Sequence, residues 1–161
     1  MNIRPFKGED FDAIDQIYTR SKLDELRYEK TSFELLPLLK DRPRLDALLA
    51  SQIFVYDDGI IQGYGAVFES EIRAIFVHPD YRGKGVGKRL LEKVISLAGH
   101  GATLYVAKSN AAAISLYRNY GFEIAREFEA TYNGQAVLAN EMARRSEAYQ
   151  SKAFKDKASN G

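Results

Sequence analysis

The sequence predicts an α/β fold on a mixed, mostly antiparallel sheet of about seven strands, and three observations carry that expectation. Apolar runs at 52–56, 60–68 and 71–77 are separated only by tight turns, as in an antiparallel meander. A whole helix-period stripe precedes the next apolar run at 102–106, so that run can lie parallel to 71–77 through a right-handed crossover. Near the end, strand-like runs at 122–128 and 135–143 flank Thr131-Tyr132-Asn133-Gly134, whose Asn-Gly is a strong hairpin signal.

Asn2 to Phe6 alternates apolar and polar like an edge strand. Phe11, Ile14, Ile17 and Tyr18 then recur at helical spacing after Glu9 and Asp10, either of which suits a cap. Between Ser21 and Asp46, Pro37 and Pro43 interrupt the leucine-rich run, and short helices separated by loops are expected. Asp57-Asp58-Gly59 reads as a hairpin turn. In the strand that follows, strict alternation puts Ile72, Ala74 and Phe76 on one face and Arg73, Ile75 and Val77 on the other.

Val86, Leu90, Leu91, Val94, Ile95 and Ala98 form the stripe of the crossover helix, which Gly99 or Gly101 ends. Asn110 is a helix cap, with Gly121 closing that helix in a left-handed turn. Residues 1–143 are expected to form one domain, and 144–161 a polar, basic tail that is mobile or packs on a neighbour.

The bulk numbers exclude more than they select. With no cysteine there is no disulfide, thiolate ligand or cysteine nucleophile. His78 and His100 lack ligand spacing, so no metal is expected. A net charge of +1 argues for neither nucleic acid nor membrane as a partner. No apolar run reaches the roughly 18 residues of a membrane span, and the N-terminus has no signal core, so a cytoplasmic protein is expected, monomer or homodimer. Lys and Arg against Asp and Glu number 9 to 13 in residues 1–70 and 9 to 7 in residues 71–143, which would suit a cationic acceptor on one side and an anionic ligand on the other.

The chemistry concentrates at Val77-His78-Pro79-Asp80-Tyr81-Arg82-Gly83-Lys84-Gly85-Val86-Gly87. Strand, glycine loop and helix start in succession place several backbone N–H groups at one anion, which points to a phosphate-bearing ligand. Two common phosphate loops fail on spacing. A Walker A loop would need glycine at Arg82 and Ser or Thr at Arg89, and a dinucleotide fingerprint counted from Gly83 would need its third glycine at Lys88.

Arg82-Gly83-Lys84-Gly85-Val86-Gly87 does match Arg/Gln-x-x-Gly-x-Gly/Ala, and the stretch Asn110 to Phe122 matches Asn-x-x-Ala-x-x-x-Tyr-x-x-x-Gly-Phe. Together they resemble the two coenzyme A segments of the GCN5-related N-acetyltransferase superfamily. The resemblance covers nearly everything but the tail, and it implies a three-layer α/β/α domain that uses acetyl-coenzyme A.

On that resemblance, Arg82, Gly83, Lys84, Gly85, Val86, Gly87 and Lys88 bind pyrophosphate. Ile75, Phe76 and Val77 hold the pantetheine arm where the sheet splays after Val77, and Asn110, Ala113 and Tyr117 complete the donor site. Tyr117 is the expected acid for the departing thiolate and Glu71 the expected base, with Glu69 and Tyr132 as weaker alternatives. Glu25, Tyr28, Glu29 and Tyr132 are expected to receive the acceptor, a primary amine of a small molecule. A protein or peptide amine is the alternative, and a non-catalytic acyl-coenzyme A sensor the third reading.

Overall fold

The computed structural model describes residues 2–145. The expected tail therefore lies outside the described residues, apart from Arg144 and Arg145. Seven strands form one sheet in the order β1-β2-β3-β4-β5-β7-β6, with β1 at Ile3–Pro5, β2 at Gln52–Asp57, β3 at Ile61–Phe68, β4 at Glu71–Val77, β5 at Thr103–Ala107, β6 at Phe122–Tyr132 and β7 at Gln135–Arg144. Every pairing is antiparallel except β4 with β5, as the intervening helix requires. The Asn-Gly turn forms as expected, with Asn133 at φ 49° and Gly134 at φ 79°.

Helices α1 (Phe11–Ser21) and α2 (Arg42–Leu49) cover one face, and α3 (Val86–Ala98) and α4 (Ala111–Asn119) the other. On the first face Ile14, Ile17 and Tyr18 pack with Leu45 and Leu48 on Val55, Tyr64 and Phe76. On the second, Leu91, Val94 and Ile95 meet Ile114, Phe122 and Met142. Pro43 does not interrupt a helix as expected; it occupies the first turn of α2, where a missing N–H costs nothing. Turns of 3-10 helix at Lys22–Leu26 and Leu38–Lys40 stand on either side of an irregular loop over 27–37.

The alternation expected in β4 is broken. Ala66 pairs with Ala74 but Val67 with Ile72, leaving Arg73 as a bulge residue opposite no partner. Ile72 is thereby turned to the α3 side together with Ile75 and Val77, while Ala74 and Phe76 face α1 and α2. A single extra residue cannot be read from a period of two, which is why the face assignment of Ile72 reverses.

Candidate active site

β4 and β5 share one paired position, Glu71 with Thr103, after which β5 runs on beside β7. The sheet thus opens just beyond Glu71, earlier than the expected opening after Val77. The His78 amide donates to Gln62 O on β3 at 2.8 Å. By the two-residue alternation, the backbone groups of Ile75 and Val77 point the other way, toward the opening.

The glycine loop stands at the end of that free edge. Pro79–Tyr81 is a 3-10 turn, and Gly83 and Gly85 take φ of 79° and 84°, which an L side chain adopts only under strain. Space is not the constraint at Gly85, since an added Cβ would meet nothing within 4 Å. The first bond of α3 runs from the Arg89 amide to Gly85 O at 3.1 Å, so the amides of Val86, Gly87 and Lys88 are left free of the helix. Gly85→Ala is expected to weaken binding of a pyrophosphate ligand about tenfold through that backbone strain of roughly 1–2 kcal/mol, read by calorimetric titration with coenzyme A.

A groove of about 590 Å³ runs from this loop along Ile75, Phe76 and Val77 to Asn110 and Tyr117. Of the expected donor-site residues, Lys84 and Ala113 lie outside it: the Lys84 ammonium sits 5.7 Å from the Tyr81 ring, and Ala113 lines the neighbouring cavity. Arg89 turns away to donate to the Tyr56 hydroxyl at 2.8 Å. Arg82 crosses the groove instead, pairing with Asp24 at 2.7 Å. Both partners are about 40% exposed, and such a pair contributes less than about 1 kcal/mol.

Asn110 caps α4 by accepting from the Ala113 amide at 3.3 Å. About two turns on, Tyr117 packs edge-on against Phe122 with centroids 6.0 Å apart. Burial, and then the nearby charge of Glu25, pushes its hydroxyl up to about 12. Tyr117 and Glu25 also line two further cavities, of about 360 and 410 Å³, so three openings converge on this pair.

Glu71 lines the 360 Å³ cavity, oriented by Arg73 at 2.6 Å. Glu69 is a turn residue at φ 53° that lines none of the three. Of the expected acceptor residues, Glu25 is at the junction, but Tyr28 is 63% exposed and, like Glu29, lines no cavity of the three. Tyr132 is buried in the wall, and its ring is already occupied, with Lys22 and Arg44 lying 5.3 and 5.0 Å from its centroid.

Lys22, Arg44 and Arg73 line these cavities and were not anticipated. The signal for Lys22 was its i+4 spacing from Tyr18 on the buried face of α1. Arg44 lay in the blurred proline region, and Arg73 is presented by the bulge. The Tyr18 hydroxyl, in the same cavity, is buried and has no hydrogen-bond partner among the described residues. Those residues also hold no group of three or more metal-ligating side chains, and no helix among them is long and apolar enough to cross a membrane.

Residues 50–124 match the acetyltransferase (GNAT) domain family. The N-alpha-acetyltransferase RimI of Mycobacterium tuberculosis is 38% identical over 74 residues, 40% of this chain and 47% of that protein. Streptothricin acetyltransferase of Streptomyces lavendulae is 29% identical over 162 residues, covering 83% of this chain and 85% of that one. The structure of yncA from Salmonella typhimurium, solved with acetyl-CoA, superposes with a TM-score of 0.64 at 21% identity over 90% of this chain and 93% of that one. The chain spans about half the length, or less, of the curated relatives it matches first. From β2 to the start of β6 the chain is thus similar to the acetyltransferase (GNAT) domain, and its seven-stranded fold is the one seen in solved GCN5-related N-acetyltransferases.

Proposed function

We propose that this chain is an N-acetyltransferase that moves the acetyl group of acetyl-CoA to a primary amine of a small molecule within a ternary complex. The observation that carries the reading is the convergence of the donor groove and two separate cavities on Tyr117 and Glu25. One opening suits a long phosphate-ended ligand, and the others admit a second reactant to its far end. The residues fit acetyl-CoA: the glycine loop presents free amides, and the outward edge at Ile75 and Val77 can pair with an amide-bearing arm like an added strand.

Bound there, acetyl-CoA supplies an activated acetyl group and departs as a thiol. The chain's residues have three tasks. An alkyl amine with pKa near 10.4 must lose a proton at a cost of about 4–5 kcal/mol at pH 7, and Glu71 accepts it directly or through water. A backbone N–H beside the opening of β4 polarises the acetyl carbonyl. As the C–N bond forms and the C–S bond breaks, the Tyr117 hydroxyl donates its proton to the sulfur.

The tied-down acceptor side favours a small molecule over a protein amine. The Tyr132 hydroxyl accepts from the Leu36 amide at 2.9 Å, and Asn133 and Gln135 donate to Glu34 O and Ser32 O at 3.1 and 3.2 Å. The β6–β7 hairpin is thereby fastened to the 32–36 segment, which bars an extended peptide from passing through.

Thiol release from acetyl-CoA over a panel of small amines, with mass detection of the product, tests the activity. Acetylated amine and free coenzyme A in equal amounts are expected; binding of acetyl-CoA without release on any amine would favour the sensor. The pH profile is a further prediction. A hydroxyl raised to about 12 keeps its proton below that pH. The value of kcat/KM should therefore climb as the acceptor's ammonium loses its proton and show no descending limb before about pH 11.

A further inference from the structure

We infer that the acceptor is a free amino acid, whose carboxylate is held by Arg44, Lys22 and the Tyr18 hydroxyl while its amine points to Glu71 and Tyr117. The inference rests on the acetyltransferase reading and specifies its second substrate. An acidic receiving site was expected, but the two acceptor-side cavities are lined by four cations, Lys22, Arg44, Arg73 and Arg126, against two anions, Glu25 and Glu71.

The two anions are already engaged, Glu25 by Lys22 at 2.9 Å and Glu71 by Arg73 at 2.6 Å, while Arg126 is paired at 2.6 Å with Glu141, which lines neither cavity. Arg44 has its partner, Asp41, at 2.9 Å, but Asp41 lines neither cavity. Its guanidinium offers five donors, and one is shown to be used on Asp41, which leaves a fork for a planar carboxylate.

Shared rings bring the three groups together. Tyr18 stands edge-on to Phe76 at 5.4 Å, and Lys22 lies 6.0 Å from that same ring. Lys22 and Arg44 then share the ring of Tyr132. Independently of charge, the buried hydroxyl of Tyr18, a residue that lines the cavity, lacks a partner among the described residues, and an unsatisfied buried donor costs about 1–3 kcal/mol. A ligand oxygen would satisfy it. A plain amine offers no such atom and would enter against the cations, whereas an amino acid supplies the anion for one end and the nucleophile for the other.

The test compares α- and ω-amino acids with their matched carboxamides at saturating acetyl-CoA. At least one acid should exceed its amide in kcat/KM by about tenfold or more. Arg44→Gln should remove that preference by raising KM for the acid, leaving the amide and the acetyl-CoA affinity unchanged. Tyr18→Phe keeps the ring and should raise KM for the acid severalfold, so it decides the matter if Arg44→Gln does not fold. Equal rates for acid and amide, turnover of plain amines alone, or acetyl-CoA binding with no amino acid consumed would each overturn the inference. Failure to bind acetyl-CoA would instead overturn the transferase reading. Unfolding scans with acid against amide, without donor, still judge the anion site in that case: stabilisation by the acid alone supports it, and equal or no stabilisation refutes it.

Discussion

Replacing Tyr117 by Phe is expected to lower kcat by about a hundredfold or more while leaving the affinity for acetyl-CoA within about twofold. Only one oxygen is removed. The ring that packs on Phe122 remains, so α4 and its Asn110 cap should hold and the melting temperature should barely move. With its hydroxyl proton held up to about 12 by burial, Tyr117 is a weak acid that works only if placed at the leaving sulfur. Steady-state kinetics alongside calorimetric titration separate the cases. Unchanged kcat would remove Tyr117 from the chemistry, and lost binding would make it a wall of the donor groove.

Gly63→Ala is expected to destabilise the fold by about 1–3 kcal/mol and to weaken acetyl-CoA binding as well. Gly63 faces the first turns of α3 from β3. A Cβ there would sit 2.8 Å from Phe76 O, 3.1 Å from Leu90 Cδ1 and 3.2 Å from Val86 Cγ1. The first of these is backbone of β4, so the β3–β4 pair must shift, and the other two are α3 side chains, so α3 is pushed off the sheet together with the free amides of Val86, Gly87 and Lys88. Denaturant midpoints and coenzyme A titration should therefore shift together. A stability loss with unchanged affinity would show that the loop is positioned independently of α3 packing.

The elements that were legible in the sequence were those with one dominant local cause. The stripe Val86 to Ala98, the Asn-Gly hairpin and the Asn110 cap all formed where period or turn chemistry placed them. What escaped had a non-local cause. The bulge at Arg73 exists because β3 and β4 pair out of step, and it reversed the face of Ile72. The close seat of α3 depends on Gly63 and Gly65, whose absent side chains mean nothing until a helix lies over them. On the acceptor side, charges were read by count. An acidic first half suggested a cationic substrate, yet the fold sends Glu29 away from the cavities, pairs Glu25 with Lys22, and turns Arg44 inward.

Thermal unfolding of the chain with and without acetyl-CoA tests the central claim most directly, because the claim begins with a donor seated between the glycine loop and Tyr117. Ligand at 100 times its dissociation constant should add about 2.7 kcal/mol to the folded state and raise the melting temperature accordingly. An unchanged melting temperature at millimolar acetyl-CoA would contradict the account.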